Sequence, residues 1–588
     1  MSMADATNAP NTNDSAAMAE APPSREQPTI GRTRLLLFVV VGLVAIGLGS
    51  MQNLNEFMSV SLPTFEDHAV VSGEVSNNDD QVMDGIDAEE EQTQRRIKED
   101  GLSSSLRNDS TNDSGDSTGS RSTSMEEPLN VVLLYADDWR HDSIGSENPL
   151  VYTPFLDKLA AKGVKFTHSC VTTSVCWISR ANMYTGQYTS RHKSTKMRTP
   201  YWYKNWNNTM PALLKEQGNY YMGHMGKWHW ANYEEVRHTW DFSHVYYGTH
   251  WMRTRPQPNS TARRRPIHVT QQNEVDAIEF LRERPTNQPF FLSVCFFAPH
   301  CVDGNKDQYF PQDWSKEYYN DTDIPVPASG TDEAWERMPS FFGPSNEGRR
   351  RWRNRFETPT LGQEMMKKYY RLITEVDKTC EVIYNELEKQ DLLKNTLVIF
   401  TTDNGMFHSE HGLAGKWYPH QESIRVPLIV SDPRMDPSKA GTTNDDFVLS
   451  IDLAPTILSA AKIQPHHSMQ GRDLSSLYLD ESVDDWRKEF FYEHPTHNSK
   501  HIIPASTALV RKDYKYVRWP DFELEQLFNL KTDPLELDDL LGQEGEHRPM
   551  ENRTVLTKES VPGATLRYDP ELLESMRKRY HELAEAAK

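Results

Sequence analysis

The most informative segment of the chain is Ser174-Val-Cys-Trp-Ile-Ser-Arg-Ala-Asn-Met-Tyr-Thr-Gly-Gln-Tyr-Thr-Ser-Arg-His192. Residues 179–184 have helical character, and Gly186 is a natural helix stop. Cys176 therefore lies near a predicted helix N-terminus, where free N–H groups and the helix dipole favour an anion. This position predicts a lowered pKa for the Cys176 thiol. Considered alone, an isolated cysteine of this kind is more often a buried structural residue.

The spacing within the segment resembles the signature of the type I sulfatases, Cys-x-Pro-Ser-Arg followed by Thr-Gly. Four positions agree with that signature: Ser179, Arg180, Thr185 and Gly186. Ile178 stands where the family has proline. The resemblance implies that a formylglycine-generating enzyme oxidises Cys176 to formylglycine, whose hydrate supplies the nucleophile, and that Arg180 holds this group. Cys176 and Arg180 are therefore candidate catalytic residues.

Oxygen ligands follow two predicted buried strands. The first, Asn130-Val-Val-Leu-Leu-Tyr-Ala-Asp-Asp138, ends in adjacent carboxylates, which repel each other unless a cation or a proton lies between them. The second, Asn395-Thr-Leu-Val-Ile-Phe-Thr-Thr-Asp-Asn-Gly405, ends in a carboxylate and an amide. Such donors favour Ca²⁺, with Mg²⁺ second. The resemblance implies one calcium site shared by these residues and the modified cysteine: Asp137, Asp138, Cys176, Asp403 and Asn404.

Two lysines and two histidines complete the candidate site. Lys227 and His229 lie in the family-like tetrapeptide Gly-Lys-Trp-His, and on an extended segment they would point to the same side. His300 follows a buried strand that ends in Ala-Pro, and Lys416 lies in Gly-Lys-Trp. The resemblance implies that Lys227, His300 and Lys416 bind the sulfate group. It also implies that His300 or Lys416 protonates the departing alcohol, and that His229 assists sulfate release.

His411 is a further candidate for substrate binding, because it precedes Lys416 by five residues. An equally good interpretation makes it a polar loop residue, like the neighbouring His408 and His420.

The order of the predicted elements indicates an α/β fold. Strands and helices alternate from Leu129, and short strands follow from about Trp486. This order resembles the alkaline-phosphatase-like fold, with a mostly parallel central sheet flanked by helices and a smaller C-terminal α+β subdomain with an antiparallel sheet. The predicted segments are a polar tail (1–34), an apolar signal segment (35–50), an acidic, Ser-rich stalk without fixed structure (51–127), the catalytic domain (128–485) and the C-terminal subdomain (486–588).

The N-terminal segment predicts entry into the secretory pathway. Leu35 to Gly49 is uninterruptedly apolar or glycine and follows three arginines, so the positive-inside rule leaves the C-terminal bulk outside the cytoplasm or in a lumen. The run is short for a membrane span, but the preceding polar segment is long for a signal peptide. We favour an uncleaved signal-anchor over a cleaved signal peptide. Acceptor triplets for N-linked glycans agree weakly with this route: Asn108, Asn112, Asn207, Asn259, Asn320 and Asn552.

Charge and composition narrow the possible partners. The formal net charge of −21 argues against nucleic acid. Arginines cluster at residues 263–265 and 349–355. They are either solvated loop charge, with a processing site as an option for the first cluster, or contacts to a polyanionic substrate. Together with the outward topology, the arginines favour a sulfated carbohydrate as the substrate.

Two other functions remain open from the sequence. A phosphate or phosphonate ester hydrolase on the same fold would use nearly the same site chemistry. A non-catalytic sulfoglycan-binding protein would result if Cys176 stayed unprocessed because Ile178 replaces proline.

Overall fold

The computed structural model describes residues 127–197, 203–246, 252–255, 265–479, 483–542 and 567–588. The predictions for the polar tail, the apolar signal segment and nearly all of the stalk lie outside these residues. Within them, no helix is both long enough and apolar enough to cross a membrane.

The described strands, β1 to β16 in chain order, are Asn130–Asp137, Val164–Cys170, Tyr221–Lys227, Phe242–Tyr246, Met252–Arg255, Arg265–His268, Phe290–Pro299, Thr396–Thr402, Phe407–His408, Ala414–Gly415, Leu428–Ser431, Thr442–Leu449, Glu489–His494, Ser506–Arg511, Tyr514–Trp519 and Leu524–Asn529. The described α-helices, α1 to α14 in chain order, are Pro154–Lys162, Cys176–Thr185, Thr189–His192, Tyr203–Trp206, Met210–Glu216, Tyr233–Val236, Val269–Glu283, Asp332–Glu336, Glu347–Phe356, Pro359–Lys389, Gln421–Ile424, Leu453–Ala460, Ser476–Leu479 and Pro570–Ala586.

The largest sheet has eight strands in the order β12-β2-β11-β8-β1-β7-β3-β4. Its strands pair in parallel except β11, which is antiparallel to both β2 and β8. All eight residues of β1 are buried, because helices cover both faces of the sheet. The predicted mostly parallel α/β sheet is confirmed.

Alternate residues of β1 enter two separate cores. Val131, Leu133 and Tyr135 pack into the apolar cluster on one face, and Val132 and Leu134 pack into the cluster on the other. This division follows from the two-residue period of a strand. β1 therefore lies in the middle of the sheet with a core on each side, and its carboxyl end is held firmly.

The long helix α10 covers a segment whose apolar residues alternate spacings of three and four, a pattern that predicts a helix from the sequence alone. Thr358 caps its N-terminus by accepting a hydrogen bond from the Leu361 N–H at 3.3 Å. The predicted apolar stripe is buried along its length: Tyr369, Ile373, Val376, Cys380, Ile383 and Leu387. This face of the helix packs against the sheet face that carries Val132 and Leu134 of β1. Cys380 is a buried free thiol there, as expected.

A second, antiparallel sheet is formed by β13, β14, β15 and β16 in sequence order. Helix α14 covers one of its faces, because Leu573, Met576 and Tyr580 pack against the sheet's apolar residues. The predicted antiparallel C-terminal sheet is confirmed. The division of the chain at residue 485 stays a prediction.

Two short motifs that are distant in sequence, the Thr-Gly that ends at Gly186 and the Gln-Gly at residues 470–471, meet behind helix α2. Gly186 ends the helix with φ of 65°, a left-handed conformation that glycine adopts without strain. Its carbonyl accepts hydrogen bonds from the N–H groups of Gln470 at 2.7 Å and Gly471 at 3.1 Å. A Cβ on Gly471 would lie 2.0 Å from the Ile451 carbonyl oxygen, so only glycine fits. The two motifs thus fix the C-terminal end of α2.

Candidate active site

The carboxyl ends of β1 and β8 bring four predicted ligands together. The strands are parallel neighbours, with Ala136 opposite Thr402, so the residues that follow them are adjacent. The Asp138 N–H donates to Asp403 Oδ1 at 3.3 Å, and Asn404 Nδ2 donates to Asp138 Oδ1 at 2.6 Å. Asp137, Asp138, Asp403 and Asn404 are all fully buried. The sequence alone does not show that these residues are adjacent, and the parallel pairing of β1 with β8 shows it.

Cys176 is the first residue of helix α2 and is buried. Its sulfur lies 2.7 Å from Nζ of Lys416 and 3.5 Å from Oδ1 of Asp137. Burial and the Asp137 carboxylate together raise the pKa of the thiol to about 12, and they outweigh the two lysines nearby. The prediction of a lowered pKa is therefore wrong. The helix N-terminus alone does not set the charge of this group.

Arg180 lies one helical turn after Cys176 and shares its face of α2. The guanidinium is fully buried and donates through Nε and Nη2 to Oδ2 of Asp403, at 3.0 and 2.8 Å. Nη1 donates to the Lys227 carbonyl at 3.1 Å. Arg180 thus connects α2 to the ends of β8 and β3.

Each aspartate of the pair that follows β1 has its own lysine. Lys227 donates to Asp137, and Lys416 donates to Asp138. Burial disfavours the charge on Asp138, but Lys416 and His300 hold the pKa of this carboxyl below its usual range. Burial and Asp403 instead raise the pKa of Asp137. The two carboxylates of the pair therefore have different proton affinities.

His300 lies with Nε2 3.6 Å from Oδ2 of Asp138. Its Nδ1 donates to the Cys301 carbonyl at 2.5 Å, and because a carbonyl can only accept, Nδ1 carries the proton. Burial lowers the pKa of the imidazole. The neutral ring therefore presents an unprotonated Nε2 to the site.

His229 does not continue the strand that carries Lys227. Its φ is 50°, so the extended geometry assumed for Lys227 and His229 ends with β3. Both residues still line the same pocket. Burial and then Lys227 lower the pKa of His229 well below its usual value.

The buried side chains around Cys176 could bind a divalent cation. The ligand atoms of Asp137, Asp138, Cys176 and His300 all lie within 4.8 Å of one another. Two buried oxygens, Oδ2 of Asp138 and Oδ1 of Asn404, accept no hydrogen bond from the described residues. Carboxylate and amide oxygens of this kind suit Ca²⁺ or Mg²⁺. Each of the three carboxylates also accepts from a cationic side chain: Oδ2 of Asp403 from Arg180, Oδ2 of Asp137 from Lys227 and Oδ1 of Asp138 from Lys416.

A pocket with a volume of about 520 Å³ adjoins Cys176. Five of the predicted catalytic residues line it: Cys176, Lys227, His229, His300 and Lys416. Its walls contain further residues that the sequence did not assign to the site: Trp177, Trp230, Tyr233, Asp303, Glu347, Trp417, His497 and Asn498. Trp417 follows Lys416 directly, a signal that was available in the sequence, but nothing there pointed to His497.

His411 lies elsewhere. It is buried beside the rings of His420 and Phe407 and lines a separate small cavity near Glu536. Its position gives no support to the predicted substrate contact. The reason is local, because β9 and β10 carry Lys416 to the pocket while the turn between them holds His411 away from it.

The second arginine cluster belongs to helix α9 rather than to a loop. Arg350 and Arg351 line the pocket, while Arg349 packs over the rings of Trp335 and Trp352. The side chains of the first cluster, residues 263–265, are outside the described part of the chain.

The sulfatase family model matches residues 129–463, more than half of the 588-residue chain. The chain belongs to the sulfatase family. A second model, that of the C-terminal region of N-sulphoglucosamine sulphohydrolase, matches residues 409–558. Family membership places this sulfatase among the sulfuric ester hydrolases and agrees with the resemblance inferred from its motifs.

Known proteins support the family and the fold. The sulfatase is 23% identical to an N-acetylglucosamine-6-O-sulfatase of Bacteroides thetaiotaomicron, over 70% of this chain and 83% of that protein. A solved structure described in complex with its substrate D-glucosamine-2-N,6-O-disulfate aligns with a TM-score of 0.60 at 20% identity, covering 79% of this chain and 98% of the other. A phosphonate monoester hydrolase of Agrobacterium radiobacter aligns with a TM-score of 0.58 at 20% identity, covering 70% of this chain and 91% of the other. These two structures support the fold alone.

Proposed function

We propose that this sulfatase releases inorganic sulfate from a sulfated carbohydrate, using a formylglycine made from Cys176. The observation that carries the proposal is the 2.7 Å contact between Lys416 Nζ and the Cys176 sulfur at the floor of the pocket. A cationic donor beside the reacting atom suits an ester that carries negative charge.

The formylglycine would supply a nucleophilic oxygen on a carbon that can afterwards release the sulfate. Arg180 and Asp403 would orient this group, because their buried ion pair fixes the first turn of α2. A bound Ca²⁺ would supply further positive charge for the sulfate oxygens. Asp137, Asp138, Asp403 and Asn404 would hold it, together with the modified Cys176.

Lys227 and Lys416 would bind the sulfate oxygens from two sides, since each ammonium group lines the pocket next to Cys176. In this proposal Lys416 is also the better donor of a proton to the departing alcohol. The Cys301 carbonyl engages Nδ1 of His300, so in the neutral ring Nε2 accepts a proton or binds a cation, and it would donate only after taking up a proton. His229 would assist the release of sulfate.

The substrate class is drawn from the relatives and from the pocket. Relatives of this chain are named for the removal of sulfate from N-acetylglucosamine, and a structural neighbour is described with a glucosamine disulfate. The tryptophan and tyrosine rings in the pocket wall, Trp177, Trp230, Tyr233 and Trp417, suit the apolar faces of a sugar ring. A secreted or membrane-anchored location remains part of the proposal through residues 35–50.

A phosphate or phosphonate ester hydrolase is the second candidate, because a phosphonate monoester hydrolase shares the fold. Paired assays separate the two functions. We expect sulfate release from D-glucosamine-2-N,6-O-disulfate and from 4-nitrophenyl sulfate, and at least about 100-fold lower kcat/KM for the esters 4-nitrophenyl phosphate and 4-nitrophenyl phenylphosphonate. Equal or higher kcat/KM on the phosphorus esters would contradict the proposal.

Two cysteine variants test whether the reaction depends on Cys176. Cys176→Ala is expected to lose all sulfate release, since it removes the group that becomes the nucleophile. Cys380→Ala serves as the matched control, because Cys380 is buried in α10 and does not line the pocket. Retained activity in Cys176→Ala would exclude this mechanism. Sugar binding without any sulfate release in wild type would favour the sulfoglycan-binding alternative.

A further inference from the structure

One part of the pocket wall carries a paired set of charges. Helix α9 presents Glu347, Arg350 and Arg351 on one face, at spacings of three and four residues. Asp303 approaches from the loop that also carries His300. All four of these side chains line the pocket. Only two residues, Cys301 and Val302, separate Asp303 from the catalytic His300 in sequence.

Arg351 lies at the centre of this set. It donates to Oδ2 of Asp303 from Nη2 at 3.0 Å, and its Nη1 lies 2.8 Å from Oδ1. Its Nε donates to Glu347 at 2.8 Å, and its guanidinium lies 4.8 Å from the centre of the Trp417 ring. The two guanidinium nitrogens that face the two carboxylate oxygens fix the orientation of Asp303. Asp303 is thus pre-oriented before any ligand arrives.

The charges on this wall are compensated within it. Arg350 is paired with Glu347 through two hydrogen bonds, at 2.8 and 2.6 Å. Both arginines that line the pocket are therefore paired with carboxylates, and the buried Arg355 also lies 3.5 Å from Oδ1 of Asp303. Arg351 is only 12% exposed. A second sulfate approaching Arg351 would meet the oxygens of Asp303, whose side chain is 43% exposed. This arrangement disfavours an added anion.

Hydroxyl groups fit the same wall better. A hydroxyl can donate to a carboxylate and accept from a guanidinium, so adjacent hydroxyls of a sugar satisfy a paired Asp and Arg without a net charge. The Asp303 carboxylate is 43% exposed and held in place, so it loses little entropy on binding. The wall therefore suits the neutral part of a sugar ring.

We propose that Asp303, braced by Arg351, is a specificity-determining residue that binds free hydroxyl groups of the sugar carrying the scissile sulfate. This inference rests on the proposed function and deepens it. It separates two interpretations of the arginine cluster, because the cluster positions an acceptor for hydroxyls rather than attracting a polyanion.

The test compares a sugar sulfate with an aryl sulfate that has no hydroxyls. D-Glucosamine-2-N,6-O-disulfate and 4-methylumbelliferyl sulfate are assayed with wild type, Asp303→Asn and the control Asp313→Asn, whose side chain is 96% exposed and outside the pocket. We expect Asp303→Asn to lower the ratio of kcat/KM for the sugar over the aryl ester by about 20-fold, because a charge-assisted hydrogen bond is lost. The control is expected to keep the wild-type ratio.

An unchanged ratio would overturn the inference, including an equal loss on both esters, which would indicate that Asp303 only supports Arg351 and Trp417. If wild type hydrolyses neither ester, the proposed function fails separately. Calorimetric binding of the same disulfate to Cys176→Ser, with and without Asp303→Asn, then decides this inference. About tenfold weaker binding with Asp303→Asn supports it, and equal binding, or none by either protein, overturns it.

Discussion

The Nζ atom of Lys416 lies 2.7 Å from the Sγ atom of Cys176, although 240 residues separate them in sequence. Two further contacts hold them together. The Trp417 N–H donates to the Ser174 carbonyl at 3.2 Å. The hydroxyl of Tyr492 lies 2.6 Å from Ser174 Oγ and donates to the Trp417 carbonyl at 2.8 Å. The antiparallel sheet thus helps to set the geometry of the catalytic centre.

Replacing Lys416 with methionine is expected to reduce kcat by about 10²- to 10³-fold, because the donor nearest the reacting atom is lost. Lys394→Met is the matched control, since Lys394 is an exposed residue paired with Asp391. Steady-state rates of sulfate release provide the measurement. A loss of less than about threefold in Lys416→Met would show that Lys227 alone can bind the charge of the sulfate.

Tyr492→Phe tests whether the second sheet positions Lys416. The variant removes a hydroxyl that makes two buried hydrogen bonds, so we expect the free energy of unfolding to fall by about 1–3 kcal/mol. We also expect kcat to fall by about tenfold, because Lys416 is less well positioned. Tyr514→Phe on β15 is the control, because its hydroxyl accepts from Asn529 and its ring packs in the apolar cluster of α14, whereas Tyr492 packs in the cluster that contains Trp417. A Tyr492→Phe enzyme with lowered stability but the wild-type kcat would limit this tyrosine to a structural role.

Ile178→Pro restores the proline of the family signature. The first hydrogen bond of α2 runs from the Ser179 N–H to the Val175 carbonyl, so Ile178 is among the first-turn residues whose N–H has no acceptor within the helix. Proline is tolerated at such positions. We expect the Tm of the variant to lie within about 3 °C of the wild-type Tm. We also expect mass spectrometry to show that at least as large a fraction of Cys176 is converted to formylglycine as in the wild-type protein. Failure of the variant to fold would show that the buried Ile178 side chain is required.

Calcium binding is testable without an activity assay. Ca²⁺ should raise the Tm of the wild-type protein, because a ligand that binds only the folded state stabilises it. Asn404→Ala removes the buried amide oxygen that lacks a hydrogen-bond partner, and it should shift the Ca²⁺ titration by about tenfold or more. The exposed Asn205→Ala is the control. Identical titrations for Asn404→Ala and wild type would remove Asn404 from the proposed ligands.

Much of the fold could be predicted because its signals are local. The short apolar run from Asn130 to Asp137 is typical of a buried strand, and the apolar stripe of α10 has the helical period; both elements are confirmed. The position of the arginines could not be predicted, since nothing local to residues 349–355 shows that α9 faces the pocket.

Charge states were harder to predict than positions. The helix N-terminus suggested a lowered pKa for Cys176, but complete burial and Asp137 reverse the sign. His411 looked equivalent to its neighbours in sequence, yet the turn between β9 and β10 directs it to another cavity. Both outcomes depend on tertiary contacts that come from distant parts of the chain.

Mass spectrometry of the peptide that contains Cys176, from protein made in its native host, tests the central claim most directly. The lysines, the arginine and the carboxylates around Cys176 predict a mass corresponding to formylglycine in place of the thiol. The peptide containing Cys380 provides an internal control for a buried cysteine that stays unmodified. Quantitative recovery of Cys176 as an unmodified thiol would contradict the account.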